Sequence, residues 1–100
     1  MFIISLTYIK PLEEVDLYLT DHVEYLKEQY RLGNFLASGR KVPRDGGIIL
    51  ARAVSREEIE TIISLDPFYR QKVASYIITE FTPTMTSDAL ACLREDVKLS

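Results

Sequence analysis

Hydrophobic periodicity switches between two residues and three-to-four residues along this chain, and the order of the switches restricts the folds open to it. Residues 2–9 alternate, with Phe2, Ile4, Leu6 and Tyr8 on one side and Ile3, Ser5, Thr7 and Ile9 on the other, as in a strand. Pro11 ends the alternation. Leu12, Val15, Leu19, Val23, Leu26 and Tyr30 then recur at helical steps up to a C-cap signal at Gly33-Asn34. Asp21 and Glu24 have capping-box spacing, so this segment is expected to divide into a short turn of helix at 11–18 and a longer one from about 20 to 32. Residues 34–41 return to the strand period. Pro43-Arg44-Asp45-Gly46-Gly47 reads as a hairpin turn, since Asp-Gly suits left-handed backbone positions. A third strand is expected over Ile48–Val54. Ser55 and Glu58 then open a second helix whose inward stripe is Ile59, Ile62 and Ile63. Asp66-Pro67 restarts a short helical turn, Asp as N-cap and Pro at the first helical position. Val73–Thr82 is a fourth strand, stopped by Pro83.

The order strand, helix, strand, strand, helix, strand is that of the split βαβ, or ferredoxin-like, arrangement. The expected fold class is α+β, βαββαβ with a four-stranded antiparallel sheet and both helices on one face. Residues 1–83 form one domain, and 84–100 a tail that packs on the domain or its partner. In the tail, Ser87 is placed to cap a short amphipathic helix bearing Leu90, Leu93 and Val97. The second sheet face is not polar: Ile3 and Ile9, Ile49 and Ala51, and Ala74, Tyr76 and Ile78 cannot all share the helix-covered side with the alternate sets. A four-stranded face six residues long has a footprint of roughly 380 Å². An apolar patch of that size marks an interface, and a second copy packed sheet to sheet is the expected cover. A homodimer, or a higher oligomer, is the expected state.

Composition narrows the function. Twelve basic and fifteen acidic residues give a net charge of −3, which argues against a nucleic-acid partner. No stretch approaches the ~20 apolar residues of a membrane span, and the start carries no basic n-region. A cytoplasmic location is expected, and the one cysteine, Cys92, fits it, with a packed thiol as its expected state. One histidine, His22, with scattered carboxylates makes no metal-ligand pattern, so neither metal nor cofactor is expected. No phosphate loop, nucleophile elbow or dinucleotide fingerprint occurs.

Four motifs stand in a fixed order: His22-Val23-Glu24-Tyr25-Leu26; Gly33-Asn34-Phe35-Leu36-Ala37-Ser38-Gly39; Gly46-Gly47; and Asp66-Pro67-Phe68. In these, across roughly residues 2–82, the chain resembles the YciI-like (YCII-related) family of dimeric α+β barrel proteins. The resemblance implies a ferredoxin-like protomer, a dimer with two packed sheets, and an active-site pocket with a His–Asp pair, here His22 and Asp66. A characterised relative eliminates chloride from a chlorinated hydroxyhydroquinone. Where the family usually shows Gly-Pro near the end of the second strand, this chain has Ser38-Gly39-Arg40.

Each candidate residue has a plainer reading beside the functional one. His22 borders the helical stripe and suits either a bond to a backbone carbonyl or acid–base work near neutral pH. Asp66 is an N-cap on its own merits, and one oxygen can cap while the other orients an imidazole. Ser38 is a gap-filling strand residue or a pocket hydroxyl. Arg40, Lys41 and Arg44 are a solvated turn or an anion-steering lip. Tyr18, Tyr25, Tyr69 and Tyr76 supply walls or interface anchors. The functional reading takes His22 and Asp66 as the acid–base pair and Ser38 and Arg44 as substrate-binding residues. The expected activity is that of a small cofactor-independent enzyme, of lyase, dehydrochlorinase or isomerase type, acting on a small cyclic or phenolic substrate. The alternatives are a small-ligand-binding or regulatory dimer without turnover, and a structural dimer whose pocket is filled.

Overall fold

The computed structural model describes residues 1–53 and 55–95. Its elements are β1 (Phe2–Tyr8), α1 (Leu12–Asp16), α2 (Leu19–Arg31), β2 (Phe35–Arg40), β3 (Gly46–Ala51), α3 (Arg56–Ser64), α4 (Pro67–Arg70) and β4 (Ala74–Glu80), followed by a 3₁₀ helix over Asp88–Leu93. The strands form one antiparallel sheet in the order β2-β3-β1-β4, the α+β ferredoxin-like arrangement.

Register decides which side chains face the helices. Ile4 lies opposite Ile49 and Ile78, Phe2 opposite Ala51, and Leu6 opposite Gly47 and Tyr76. Directly paired residues share a face, so these belong to one side of the sheet. Phe2, Ile4, Leu6 and Ile49 join Val15, Ile59, Ile62, Ile63, Phe68 and Val73 in a single buried core. Ile49, Ala51, Ala74, Tyr76 and Ile78 therefore lie on or pack against the covered face. The open face instead carries Ile3, Ile48, Leu50 and Ile77, of which Ile77 is 66% exposed. Both alternating sets of β3 carry apolar residues, Ile48 and Leu50 on one side and Ile49 and Ala51 on the other, so hydropathy alone could not choose between them there.

The first helical segment breaks where Leu17 and Tyr18 turn back onto Glu14 and Val15. Helix α2 starts at Leu19, ahead of Asp21, and its N-cap is Tyr18 with no side-chain cap bond, so Asp21 and Glu24 are not a capping box. The inward line is Val15, Tyr18, His22, Tyr25 and Gln29, while Leu12, Leu19, Val23 and Tyr30 are more than a third exposed. His22 thus sits in the middle of the inward face, not at its border. Gln29 is satisfied there by Asn34, whose side-chain amide donates to Gln29 Oε1 at 2.8 Å. Gly33, at φ +80°, ends the helix as the cap signal predicts, with the Asn34 N–H donating to the Gln29 carbonyl.

At the hairpin, neither Asp45 nor Gly46 takes a positive φ. Gly46 is required for a different reason: at the start of β3, where it pairs with Thr7 of β1, a Cβ would lie 1.8 Å from the Leu6 carbonyl oxygen. The strand accordingly begins at Gly46, two residues before the expected start. Helix α3 is capped by Ser55, whose Oγ accepts from the Glu58 N–H at 3.1 Å, and buries Ile59, Ile62 and Ile63 as its period predicts.

The tail is 3₁₀ over Asp88–Leu93 and buries no residue of that turn; Cys92 is exposed, not packed. It touches the domain where Arg52 donates to the Cys92 carbonyl and where Glu95 lies 3.4 Å from the Met1 amine. Val54 and Val97 lie outside the described residues. Among the described residues no helix is long and apolar enough to cross a membrane.

Candidate active site

The break between α3 and α4 places a carboxylate in the core. Leu65 closes α3, and Asp66 caps α4, accepting the Phe68 N–H through Oδ1 at 3.0 Å. Asp66 is fully buried, and burying a carboxylate is tolerable only if its oxygens are partnered. They are. Oδ1 also lies 2.7 Å from His22 Nδ1, and Oδ2 accepts the Tyr76 hydroxyl at 2.6 Å. One oxygen therefore both caps the helix and holds the imidazole, while the second is taken by Tyr76. Tyr76 reaches it because β4 pairs it with Leu6, on the covered face.

A carboxylate only accepts hydrogen bonds, so the proton of the His22–Asp66 contact belongs to Nδ1. In the neutral ring Nε2 is then left as an acceptor. Among the described residues it has no protein partner, and no buried side-chain nitrogen or oxygen there lacks one, so Nε2 is the accessible edge of the ring. The imidazole plane is fixed by Phe68, stacked on it at 4.0 Å and 5°. Phe68 is held edge-on against Tyr8.

His22 opens onto a cavity of about 390 Å³ between α2 and the sheet. Leu6, Leu26, Ile49 and Phe68 give it apolar walls, and Ser38, Arg40, Arg44 and Tyr8 add polar atoms. This is within the size range of small-ligand sites. Ser38 lines the cavity and is hydrogen-bonded to the Tyr30 hydroxyl. Arg44 lines it too, but its guanidinium is paired with Asp16 Oδ1 at 2.6 Å and lies over the Tyr8 ring. The bond to Asp16 raises the Arg44 pKa above its ordinary value. Lys41 turns away to Thr7.

Two tyrosines beside the pair keep their protons. Burial, then the Asp66 charge, pushes the Tyr25 hydroxyl well up, and its proton is donated to the Ile62 carbonyl at 2.8 Å. Burial, the Asp66 charge and the hydrogen bond to Asp66 raise Tyr76 further. Phe68 and Tyr76 as partners of the pair were not singled out from the sequence. Phe68 stood in a quoted motif, and Tyr76 becomes visible only once the register of β4 is known. Among the described residues no group of three His, Cys, Asp or Glu side chains is arranged to hold a metal ion.

Residues 1–82 match the YCII-related domain family. The chain belongs to that family. Among solved structures, this YCII-related chain is similar to 5-chloro-2-hydroxyhydroquinone dehydrochlorinase (TftG) from Burkholderia phenoliruptrix AC1100, in complex with 2,5-dihydroxybenzoquinone. The TM-score is 0.69 at 16% identity, over 83% of this chain and 95% of that one. At that identity the likeness establishes the shared fold. Among curated proteins none matches.

Proposed function

We propose that this YCII-related chain is a small acid–base enzyme that moves a proton on a cyclic or phenolic substrate, in an elimination or isomerisation that needs no cofactor. The observation that carries the reading is the His22–Asp66 contact at the wall of an open cavity, with Nε2 as the free edge. His22 is the proposed catalytic base and Asp66 its positioning residue; Ser38 and Arg44 are proposed to contact substrate. The step needs little else. Nε2 takes a proton from a ring O–H or C–H bond, and the electron pair left behind moves into the ring. A leaving group departs with its own pair, or a neighbouring carbon takes the proton back. The Asp66 charge stabilises the imidazolium that forms, and a largely apolar pocket strengthens that interaction. The neighbouring dehydrochlorinase supports elimination as the reaction class.

The working unit is proposed to be a homodimer joined through the open sheet face, where Ile3, Ile48 and Ile77 are exposed. The tail is proposed to pack across the domain edge near Met1 or onto the partner. The free thiol of Cys92 suits a reducing compartment, and the cytoplasm is the proposed location. A thermal-shift screen of hydroxylated and halogenated ring compounds tests the reading, because a ligand bound by the native state raises the melting temperature. A stabilising compound that wild type converts and His22→Gln does not is the expected result. Binding without conversion would make the chain a ligand-binding module instead.

A further inference from the structure

We infer that the pocket takes a ring compound bearing a carboxylate, and that Arg40 receives that group. The inference rests on the acid–base reading for where the ring lies and goes beyond it in naming the substrate's charge.

The cavity lining contains two arginines and no aspartate or glutamate. Asp66 lies behind His22, with both oxygens already engaged. No carboxylate lines the pocket itself, although that of Asp16 is bonded to one of its two arginines, Arg44. The two arginines are not equivalent. Arg44 already has a carboxylate, that of Asp16. Arg40 makes no ion pair and no side-chain hydrogen bond among the described residues.

Strand geometry aims Arg40 into the site. It ends β2 directly opposite Gly47, and Gly47 lies opposite Leu6, all on the covered side of the sheet. Gly47 contributes no side chain between Arg40 and Leu6, and a Cβ there would lie 3.1 Å from the Gly39 carbonyl oxygen. Ser38, two residues before Arg40, shares its side and stands roughly 7 Å away along the strand. A guanidinium matches a carboxylate through two parallel N–H···O bonds, and one free guanidinium balances one negative charge. With about 390 Å³ available, a single ring fits between Phe68 and His22 at one end and Arg40 at the other.

The test compares 4-hydroxybenzoate with 4-hydroxybenzyl alcohol, which share a ring and differ in the anionic group. Each is titrated into the full chain while the ring signals of His22 are followed by NMR. Wild type is expected to bind the benzoate about tenfold or more tightly than the alcohol, a preference that shrinks as salt is added. Arg40→Gln is expected to bring the ratio close to one, Arg40→Lys to retain part of it, and Arg44→Gln to retain most of it. Arg40 is exposed, so its two substitutions leave the core untouched. Equal binding of the two probes by wild type overturns the inference, as does an undiminished ratio in Arg40→Gln. In both cases the alcohol still perturbs His22, and the acid–base reading stands. Binding of neither probe overturns both.

Discussion

His22 Nδ1 stands 2.7 Å from Asp66 Oδ1, across 44 positions of sequence, because α2 and α4 are packed together over the same sheet face. That contact ties a helix cap to a histidine tautomer. The fold cannot lose the first without disturbing the second.

Removing the Asp66 charge should therefore be costlier to turnover than to folding. Asp66→Asn keeps the shape and an oxygen that still accepts from the Phe68 N–H and from Nδ1, but it removes the charge that stabilises the imidazolium. With any substrate found by the screen, its rate should fall by about 10²-fold or more, approaching that of His22→Gln. Tyr76→Phe removes one hydrogen bond to the same carboxylate and should cost about 1.5–3 kcal/mol of stability. Urea unfolding and steady-state rates of the variants check both. An Asp66→Asn enzyme with wild-type rates would remove Asp66 from the mechanism.

Packing around the site gives a sharper contrast. Phe68 is buried between His22 and Tyr8, and Phe68→Ala should cost about 3–5 kcal/mol. Gly46→Ala pushes a Cβ into the Leu6 carbonyl and should cost about 1–3 kcal/mol or more. Gly39→Ala meets nothing within 4 Å and should stay within about 0.5 kcal/mol of wild type. Denaturation midpoints measure all three, and equal effects of the two glycine changes would contradict the close approach of Gly46 to the Leu6 carbonyl.

Alkaline pH should unfold the protein earlier than its composition suggests. Tyr25 and Tyr76 hold their protons in the folded state well past the point, about pH 10, at which an unfolded tyrosine releases its own. Above that point the folded state binds more protons than the unfolded one, so stability falls as pH rises. Below it, this contribution is fully present. Each tyrosine adds a slope of up to about 1.4 kcal/mol per pH unit. Unfolding free energies measured upward from about pH 9 should show the fall, and Tyr76→Phe should flatten it. An unchanged slope in that variant would rule Tyr76 out as a source.

The open face should hold two copies together. Light scattering on a sizing column should show about 23 kDa, twice the 11.5 kDa chain. Ile77→Lys, placing a charge on the most exposed isoleucine of that face, should shift the population toward monomer. Truncation after Pro83 should lower stability or change the oligomeric state. A wild-type monomer at high concentration would contradict the dimer.

Much of the architecture was legible because each change of period carried its own punctuation: Pro11, Gly33, Ser55, Asp66-Pro67 and Pro83 all lie at or beside the ends of elements. The inward face of α2 was not, because His22 and Gln29 hold core positions that hydropathy assigns to Leu19 and Val23. The His22–Asp66 pairing was legible only through the family motifs; helix periods say nothing about which turn of α2 meets α4. Tyr76 was hidden for the same kind of reason, since its role depends on a strand register. Arg44 looked free in sequence, and only the fold brings Asp16 to it from 28 positions away.

The single histidine allows one measurement to reach the central claim. Nitrogen-15 NMR of His22 in the neutral imidazole form reads which ring nitrogen carries the proton. Wild type is expected to carry the proton on Nδ1 with Nε2 bare, Nε2 to respond when a ring ligand binds, and the tautomer preference to weaken in Asp66→Ala, which removes the accepting oxygen. A wild-type spectrum with the proton on Nε2, unchanged by Asp66→Ala, would contradict the pairing.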